Sequence, residues 1–371
     1  MIDGVSDPGS SLSRLERRRE DPSIGLVGTP WWCSLTSTPR NLRRALGELF
    51  RATHDVSQRG VRDHETRVHR GHLDSDVSGD KPIAMSRRRS WNGARCLVTG
   101  ASSGLGKALA ERLVRAGARV VLTGRSVERL QAAVQGLIDE GADPARIVTI
   151  PADLTIDEDR QRLFDQLAEH FEALDLVVNN AGVGATGQFE SHDPAVLRKV
   201  FEINVFALAE VCRAALPLLA QGKQPALVNM GSVVARRGLP SRTEYSASKF
   251  AVTGFSQALR VEWRRFGIHV LQVNPGFTNT PFDQHAVANT ARYSVARHRL
   301  MSADAVAIAT LRAVERQKRE IVLTWQGKLL ILVDSMAPRF VDWGFTRWLF
   351  LHYPDSPILQ RDHSRHPVPV R

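Results

Sequence analysis

Short apolar segments alternate with helical segments from residue 94 onward, and this alternation limits the possible folds more than any other feature of the sequence. Val, Ile and Leu dominate the apolar segments, and helical patterns separate them. Apolar runs of this length between helices are typical of parallel strands that helices cover on both faces. Strands are predicted at 95–99, 119–123, 146–150, 174–179, 225–230, 268–273 and 320–323, and helices at 104–116, 126–140, 155–171, 193–220, 243–266 and 302–317. The sequence therefore predicts an α/β protein with a doubly wound parallel sheet of about seven strands, whose ligand site lies at the carboxyl ends of the strands.

Two flanking regions differ in composition from the predicted sheet domain of residues 85–323. Residues 1–84 are rich in Arg, Asp, Ser, Gly and His and contain few apolar runs, so they cannot bury enough surface to offset the ordering entropy. We expect a disordered arm, or a mis-assigned start with the true start at Met85. Residues 324–371 are a C-terminal extension in which Trp and Phe lie among Lys and Arg, followed by a polar tail. The extension either packs over the ligand pocket or a partner subunit, or lies as an amphipathic segment on a membrane surface.

Charge and cysteine usage narrow the range of partners and compartments. The formal net charge is +11, which suits nucleic acid or an anionic membrane as a partner. The arginines are scattered, however, and no nucleic-acid-binding module is recognisable, so we expect no nucleic acid partner. Cys33, Cys96 and Cys212 lie far apart without metal-ligand spacing, which predicts no metal site and a reducing compartment. Because there is no secretory signal and no run of about 18 apolar residues, we expect a cytoplasmic protein, with peripheral membrane association as the alternative.

A glycine-rich turn follows the first predicted strand and opens the first predicted helix. Its sequence is TGASSGLG, at residues 99–106, and its glycines permit a tight turn and a close backbone approach to a ligand. The free N–H groups and the dipole at the start of a helix favour a pyrophosphate. We therefore predict a Rossmann-type dinucleotide site here. The turn residues assigned to it are Gly100, Ser102, Ser103, Gly104, Leu105 and Gly106.

The ends of the next two strands indicate which dinucleotide is bound. Gly124 stands where NAD sites usually place an acidic residue for the ribose hydroxyls, and Arg125 follows it. Because a guanidinium binds a 2′-phosphate bidentately, NADP(H) is the preferred cofactor and NAD(H) the alternative. In the other interpretation, Arg125 only caps a loop in solvent. Asp153, followed by Leu154, either reaches the adenine amino group or caps the next helix.

The fourth predicted strand runs into the turn NNAG, at residues 179–182, whose small residues let the backbone pass close to a ligand. We assign Asn180, Ala181 and Gly182 to the cofactor site. Asn204 is a polar residue in an otherwise apolar helix. It is either a functional residue or a buried asparagine with satisfied hydrogen bonds.

Tyr245 and Lys249 lie four residues apart and therefore share one face of the predicted helix 243–266. A lysine ammonium beside a phenol favours the phenolate, so we expect Lys249 to lower the pKa of Tyr245 from its ordinary value of about 10. Tyr245 is then able to give and take a proton near neutral pH. Ser232, at the end of the preceding strand, is placed to hydrogen-bond the same reacting oxygen.

Together these motifs resemble the short-chain dehydrogenase/reductase family in its classical form. TGASSGLG, NNAG, Asn204, Ser232, YSASK and NPG at residues 274–276 occur in the family's order and at its spacings, over roughly residues 92–323. The departure is Gly231, because the family commonly has two serines where this chain has Gly231 and Ser232. The resemblance implies an oxidoreductase that transfers a hydride between nicotinamide and a small-molecule carbonyl or secondary alcohol. The alternative is a cofactor-binding regulatory or scaffold protein on the same fold.

The resemblance also implies a role for individual residues. Tyr245 is the general acid that protonates the carbonyl oxygen, and Lys249 holds the nicotinamide ribose and lowers the pKa of Tyr245. Ser232 orients the carbonyl and stabilises charge on its oxygen, and Asn204 supports a water in a proton relay toward Lys249. Beside the nicotinamide carboxamide the resemblance places Pro275, Gly276 and Thr278, with Thr280 as a further contact.

Two expectations concern assembly and substrate. The family is usually dimeric or tetrameric through the helices equivalent to 193–220 and 243–266, so a homodimer or homotetramer is implied. Residues 281–300 fall where the family carries its variable substrate loop and contain Arg292, Arg297, His298 and Arg299. This loop is either a solvated lid or a site for an acidic or CoA-like substrate.

Overall fold

The structure is a computed structural model that describes residues 89–291 and 300–353. The expectations for residues 1–84, for Cys33 and for the polar tail therefore lie outside the described residues. The four basic residues singled out in the substrate loop fall in 292–299 and lie outside them as well.

Strands and helices alternate along the chain as the apolar pattern predicts. The strands are β1 (Arg95–Thr99), β2 (Arg119–Gly124), β3 (Ile147–Pro151), β4 (Leu176–Asn179), β5 (Ala185–Thr186), β6 (Ala226–Met230), β7 (His269–Asn274), β8 (Thr278–Asn279), β9 (Ala288–Asn289), β10 (Met301–Ser302) and β11 (Glu320–Val322). The helices are α1 (Gly104–Arg115), α2 (Val127–Asp139), α3 (Asp157–His170), α4 (Pro194–Phe201), α5 (Ala207–Ala220), α6 (Thr243–Glu262), α7 (Ala303–Glu315), α8 (Trp325–Met336) and α9 (Pro338–His352). Each predicted strand of the main sheet agrees with an observed strand to within two residues at either end.

Seven strands form one parallel sheet in the order β11-β7-β6-β4-β1-β2-β3. The first strand, β1, lies inside this sheet. The chain next forms β2 and β3 on one side of β1 and then crosses to form β4, β6, β7 and β11 on the other side. Because every pairing is parallel, the carboxyl ends of all seven strands meet at one edge. The reversal of strand order between β1 and β4 creates the crevice in which doubly wound folds bind ligands.

Successive residues of a strand point to opposite faces, and the core is divided accordingly. Cys96 and Val98 of β1 face one apolar cluster, which is closed by side chains of α1, α2 and α7. Leu97, between them, faces a second cluster, which is closed by α3, α5 and α6. Helices therefore cover both faces of the sheet, which is why its strands are apolar throughout rather than alternating with polar residues. Cys96 and Cys212 are buried free thiols, as their apolar surroundings predict.

The predicted helix at 193–220 is interrupted by a π-helical segment, Glu202–Phe206, between α4 and α5. Among the described residues, the stretch Pro194–Ala220 is the one helix long and apolar enough to cross a membrane by length and composition. Its side chains Val211, Ala215 and Leu219 are nevertheless fully buried in the core of the sheet domain. The π turn places Asn204 at a fully buried position, and insertions of this kind are frequent at functional sites.

Smaller elements surround the carboxyl edge of the main sheet. Two short parallel sheets, β5 with β9 and β8 with β10, tie the loops after β4 and β7 to the substrate-loop region. Thr324 caps α8 by accepting a hydrogen bond from the Gly327 N–H. Helices α8 and α9, joined at Ala337, form the described part of the C-terminal extension.

Candidate active site

A cavity of about 1020 Å³ opens at the carboxyl edge of the sheet, a volume at the upper end of the range for small-molecule and cofactor sites. Most residues assigned to a site from the sequence line this one cavity. They are Gly100, Ser102, Ser103, Gly104, Leu105, Arg125, Asp153, Leu154, Asn180, Ala181, Gly182, Ser232, Tyr245, Lys249, Pro275, Gly276, Thr278 and Thr280. Gly106 and Asn204 lie behind the wall and support it.

Asn180 joins the glycine-rich turn to the turn after β4. Its Nδ2 donates hydrogen bonds to the carbonyl oxygens of Thr99 (3.0 Å) and Gly100 (3.1 Å). The Thr99 hydroxyl oxygen accepts from the backbone N–H groups of Asn180 and Ala181. Gly100 has φ of 61°, a conformation that favours glycine. The two turns thus form a single rigid floor at the start of α1.

Gly106 is required by the same contacts. A β-carbon at this position would lie 2.6 Å from Asn180 Nδ2 and closer still to the carbonyl oxygen of Gly100. Gly106 therefore lets α1 approach the two turns, which is the packing role of the last glycine in a dinucleotide turn. This arrangement fits a pyrophosphate at the helix start, where backbone N–H groups remain available.

The end of β2 carries an uncompensated cation at the cavity wall. Arg125 is exposed, lines the cavity, and has no ion pair or hydrogen bond among the described residues. A β-carbon at Gly124 would meet its nearest neighbour, Ser102 Oγ, at 3.6 Å. Position 124 therefore has room for a β-carbon, although the chain carries no acidic residue there. Arg129 also lines the cavity, with Nη1 2.7 Å from His285 Nε2. Lys107 does not join them, because its ammonium lies against Gly136 of α2.

Asp153 adopts a local turn at the end of β3. Its Oδ1 accepts hydrogen bonds from Thr155 N (3.0 Å) and Thr155 Oγ1 (2.8 Å). The N-cap of α3 is Ile156, so Asp153 does not cap that helix directly. Asp153 and Leu154 both line the cavity, and the adenine contact of Asp153 stays a prediction.

The catalytic candidates meet where β6 and α6 face each other. Ser232 is the second residue after the end of β6 at Met230, and its Oγ accepts from the Val234 N–H at 3.3 Å. Tyr245 is 8% exposed, and Lys249, one helical turn later, is 4% exposed. Lys249 Nζ donates a 2.7 Å hydrogen bond to the carbonyl oxygen of Met230. The three candidate side chains are thereby fixed by a strand end and a helix, both of which are rigid elements.

The expectation that Lys249 lowers the pKa of Tyr245 is wrong for this structure. Burial raises the pKa of Tyr245 to about 12, while the charge of Arg242 and the hydrogen bond from Ser232 act in the opposite direction. Lys249 Nζ lies 5.8 Å from the centre of the Tyr245 ring, and burial lowers the pKa of Lys249 itself to about 8. Desolvation of both groups outweighs the attraction between the ammonium and the phenolate, and the spacing of the two residues in the sequence carries no information about burial.

Asn204 is a fully buried asparagine that hydrogen-bonds the protein through both atoms of its side-chain amide. Its Oδ1 accepts from Val183 N at 2.8 Å, and its Nδ2 donates to Val183 O and to Ser248 Oγ, both at 3.0 Å. The Ser248 hydroxyl in turn donates to the carbonyl oxygen of Tyr245. Asn204 therefore positions the turn after β4 against the helix that carries Tyr245. The water relay that the family implies for Asn204 stays a prediction.

Several residues of the site were not identified from the sequence. Arg242, three residues before Tyr245, is 8% exposed, lines the cavity, and stacks its guanidinium over the Phe277 ring at 5.2 Å. Phe282 contacts the ring of Tyr245 with the two centroids 5.5 Å apart. The one available signal was the position of Arg242 one turn before Tyr245.

A buried pair adjacent to Tyr245 was also missed. His192 Nδ1 lies 2.6 Å from Glu244 Oε1, with side-chain exposures of 4% and 1%. His192 Nε2 lies 3.3 Å from Thr290 Oγ1. The pair thus links helix α6 to Thr290 within the substrate loop. Fifty-two residues separate the partners, so no local pattern could have revealed them.

Gly231 explains the departure from the two-serine pattern. A β-carbon here would lie 2.9 Å from Gln272 Nε2 and closer still to Asn274 Oδ1. Asn274 is fully buried and is held by Gln272 Nε2 at 3.0 Å and by Glu320 Oε1 at 2.6 Å. The space that a serine side chain would fill is therefore occupied by an amide from the neighbouring strand.

The C-terminal extension contributes to the wall of the cavity. Thr324, Gln326, Gly327 and Leu330 all line it. A β-carbon on Gly327 would lie 2.7 Å from Val233 Cγ2, so α8 packs closely on the segment that follows Ser232. One side of the extension therefore forms part of the pocket wall. This agrees with the expectation that the extension packs over the ligand pocket.

Known proteins match the chain in sequence over its sheet domain. The sequence model described as short chain dehydrogenase matches residues 94–291. The chain is 31% identical over 251 residues to dehydrogenase/reductase SDR family member 7B of Rattus norvegicus, covering 66% of this chain and 77% of that protein. It is 30% identical over 253 residues to the uncharacterized oxidoreductase YxnA of Bacillus subtilis, covering 66% and 69%.

Solved structures show the same fold. A short chain dehydrogenase/reductase from Burkholderia phymatum in complex with NAD has a TM-score of 0.60 at 25% identity, over 68% of this chain and 96% of that one. A short chain dehydrogenase from Burkholderia cenocepacia in complex with NADP has a TM-score of 0.59 at 26% identity, over 69% and 99%. Both nicotinamide cofactors thus occur among the structural neighbours.

Proposed function

The chain belongs to the short-chain dehydrogenase/reductase family, and from this premise we propose that it is an NADP(H)-dependent enzyme that interconverts a carbonyl compound and a secondary alcohol. One observation carries the proposal. Ser232, Tyr245 and Lys249 line the same cavity as the glycine-rich turn. A binding or scaffold protein on this fold would need the turn but not the three polar side chains.

Tyr245 is the proton donor in the proposed reduction. Because burial raises the pKa of Tyr245 to about 12, the phenol keeps its proton at neutral pH and can deliver it to a substrate oxygen. The positive charge of Arg242 and the Ser232 hydroxyl both favour the phenolate that is left behind. Ser232 is also placed to donate a hydrogen bond to the oxygen on which negative charge develops.

The remaining residues of the site fit a nicotinamide dinucleotide. The N–H groups at the start of α1 suit the pyrophosphate, and Lys249, anchored on Met230 O, suits the nicotinamide ribose. We place Asp153 and Leu154 at the adenine end, and Pro275, Gly276 and Thr278 at the nicotinamide end of the cavity. When bound, the nicotinamide supplies or accepts the hydride.

The preference for NADP(H) over NAD(H) rests on the end of β2. Arg125 lines the cavity without an ion pair among the described residues, and Gly124 provides no carboxylate that would repel a 2′-phosphate. A guanidinium that is free to bind phosphate supports NADP(H). Asp153 follows the next strand, β3, and carries a carboxylate at the cavity wall. Its Oδ1 accepts hydrogen bonds from Thr155 N and Thr155 Oγ1.

Assembly and location complete the proposal. We place the enzyme in the cytoplasm as a homodimer or homotetramer, in contact with a membrane through the C-terminal extension. Exposed apolar side chains on the helices that the family uses for association support the oligomer: Phe206, Phe250 and Val261 are 55%, 46% and 76% exposed.

Replacing Tyr245 by phenylalanine tests the proposed function. The first step is to screen carbonyl compounds and alcohols against NADPH and NADP⁺ and to follow the absorbance of NADPH. With any substrate so found, Tyr245→Phe should lower kcat at least about 100-fold, the scale of general acid catalysis, and should leave NADPH binding intact. Tyr353→Phe removes the same oxygen atom outside the cavity and should keep full activity. Unchanged turnover in Tyr245→Phe would instead favour the regulatory or scaffold alternative.

A further inference from the structure

The C-terminal helices carry a row of exposed apolar side chains, which we name the outer face. In α8 the row consists of Trp325, Leu329, Leu332 and Met336, which are 69%, 48%, 55% and 77% exposed. In α9 it consists of Phe340, Trp343, Phe350 and Leu351, which are 63%, 60%, 60% and 71% exposed. Successive members are three, four or seven residues apart, except that Leu351 follows Phe350 directly and lies eleven residues, about three turns, after Phe340. Each set therefore lies on one side of its helix. Contiguous exposed apolar surface on this scale marks an interaction site.

The opposite sides of both helices face the sheet domain. Gly327 and Leu330 of α8 line the active-site cavity. Arg237, in the segment that follows Ser232, contacts both helices: its Nε lies 3.3 Å from Asp334 Oδ1 and its Nη2 lies 2.5 Å from Asp342 Oδ1. Its guanidinium also lies 5.4 Å from the centre of the Phe345 ring. One arginine therefore fixes both helices with the outer face turned away from the domain.

Charge distinguishes the outer face from an ordinary apolar patch. Lys328, Arg339 and Arg347 are exposed on the same two helices and have no ion pair among the described residues. The two acids of these helices, Asp334 and Asp342, are both paired with Arg237. The exposed part of the helix pair is thus aromatic, aliphatic and cationic, without a free carboxylate.

We propose that the outer face binds an anionic bilayer surface and that the enzyme takes an amphiphilic carbonyl or alcohol substrate from that bilayer. Apolar side chains enter the interfacial region while long cationic side chains reach the lipid headgroups. Anionic lipid attracts each nearby Lys or Arg. Because α8 has the cavity on one side and the outer face on the other, bilayer contact brings the cavity next to the lipid.

A second copy of the chain fits this face less well. In a twofold dimer the same surface meets itself, so the three cations would oppose one another without a carboxylate to offset them. Such like-charge contacts oppose association. The substrate part of the proposal rests on the proposed oxidoreductase function, whereas bilayer binding does not.

Sedimentation with vesicles tests the binding. The full chain should bind vesicles of phosphatidylcholine mixed with phosphatidylserine at least tenfold more tightly than phosphatidylcholine alone, and binding should weaken with salt. The double variant Trp325→Ser, Trp343→Ser should lose most binding. The triple variant Lys328→Gln, Arg339→Gln, Arg347→Gln should lose about fivefold per cation on the anionic vesicles only.

Phe189→Ser provides the matched control, because Phe189 is 54% exposed but lies outside the outer face. It should bind vesicles like the unchanged chain. Equal binding by the control and the double-serine variant would overturn the proposal. It would also be overturned if the unchanged chain did not bind vesicles but formed a dimer that the double-serine substitutions abolish. All the substituted side chains are exposed, and an unchanged Tm confirms that each variant is folded.

Activity measurements separate the two parts of the proposal. Reduction of a water-soluble carbonyl without vesicles reports the oxidoreductase function alone and should be the same in the double-serine variant. Reduction of a long-chain carbonyl carried in anionic vesicles should fall at least tenfold in that variant. Equal rates on the vesicle-borne substrate would refute supply from the bilayer, whereas absence of activity on every substrate with intact vesicle binding would refute only the proposed function.

Discussion

The side-chain nitrogen Nδ2 of Asn180 lies 2.6 Å from the point that a β-carbon on Gly106 would occupy. The amide cannot move aside, because it holds the carbonyl oxygens of Thr99 and Gly100. Gly106→Ala should therefore push α1 away from the turn, lower the free energy of unfolding by about 1–3 kcal/mol, and weaken NADPH binding by more than tenfold. Urea denaturation and cofactor titration measure the two effects.

Gly344→Ala is the control for that change. Gly344 lies in α9, and nothing lies within 4 Å of the position its β-carbon would take. Since alanine is favoured over glycine in a helix by about 1 kcal/mol, this variant should be at least as stable as the unchanged chain. If Gly106→Ala were equally harmless, the close packing of α1 on the turn would be wrong.

The buried ammonium of Lys249 should make stability depend on pH. Burial lowers the pKa of Lys249 to about 8 from its ordinary value of 10.5. Between these values the unfolded chain binds more protons than the folded chain, so the free energy of unfolding rises as pH rises. The full rise is about 3 kcal/mol as an upper limit. Tyr245 opposes it only above pH 10, because burial raises the pKa of Tyr245 to about 12.

Comparison with Lys249→Met isolates this contribution. Denaturation should be measured below pH 8 and again near pH 10. Relative to the variant, the unchanged chain should have a higher free energy of unfolding near pH 10 than below pH 8. The methionine variant has nothing to titrate at this position. A difference in stability between the two chains that stays constant across the interval would mean that the ammonium is solvated in the folded protein.

The sheet was predictable because its chemistry is local. A parallel strand covered on both faces needs a continuous apolar run, so strands such as β1 and β4 are visible in the sequence as RCLVT and LVVN. The glycine turn and the spacing of Tyr245 and Lys249 are likewise local. Most of the residues that these patterns assign to a site line one cavity in the structure.

What could not be predicted depends on distant partners and on burial. His192 and Glu244 are fifty-two residues apart, and Arg237 contacts Asp342 across 105 residues. Neither pairing has a local signal. The spacing of Tyr245 and Lys249 predicts a lowered pKa for Tyr245 from one neighbouring charge, whereas burial from all sides decides the direction of the shift. Desolvation is a property of the assembled core and not of any short motif.

The choice of cofactor should depend on Gly124 and Arg125. Arg125→Ala should weaken NADPH binding about ten- to hundredfold, the size of a charge-assisted hydrogen bond of about 1.5–3 kcal/mol, and should change NADH binding little. Gly124→Asp combined with Arg125→Ala should invert the preference. The β-carbon of the new side chain has room, because its nearest atom, Ser102 Oγ, is 3.6 Å away.

Lys107→Ala is the control for the cofactor experiment. The ammonium of Lys107 lies against Gly136 and does not line the cavity. Its loss should therefore weaken NADPH and NADH binding alike and only slightly. Tighter binding of NADH than of NADPH by the unchanged chain would show that Arg125 points into solvent.

Association should depend on the exposed side of α6. Phe250 and Val261 lie eleven residues apart and therefore on one side of the helix, with exposures of 46% and 76%. Phe250→Arg should weaken the oligomer by at least about tenfold, since it places a charge in an apolar contact. Light scattering over a concentration series measures the mass. Phe189→Arg alters a similarly exposed ring outside α6 and should not change it, and a monomeric mass for the unchanged chain would refute the oligomer.

The packing of Asn274 against Gly231 restricts how this site can evolve. With the Asn274 amide placed as it is here, serine at position 231 requires that amide to turn away from Gln272 and Glu320, so tolerance of the serine should depend on the freedom of Asn274. The constraint is also open to experiment: Gly231→Ser alone should lower the Tm, and adding Asn274→Ala should restore part of the loss. An unchanged Tm in Gly231→Ser alone would show that the neighbouring strand does not require glycine at position 231.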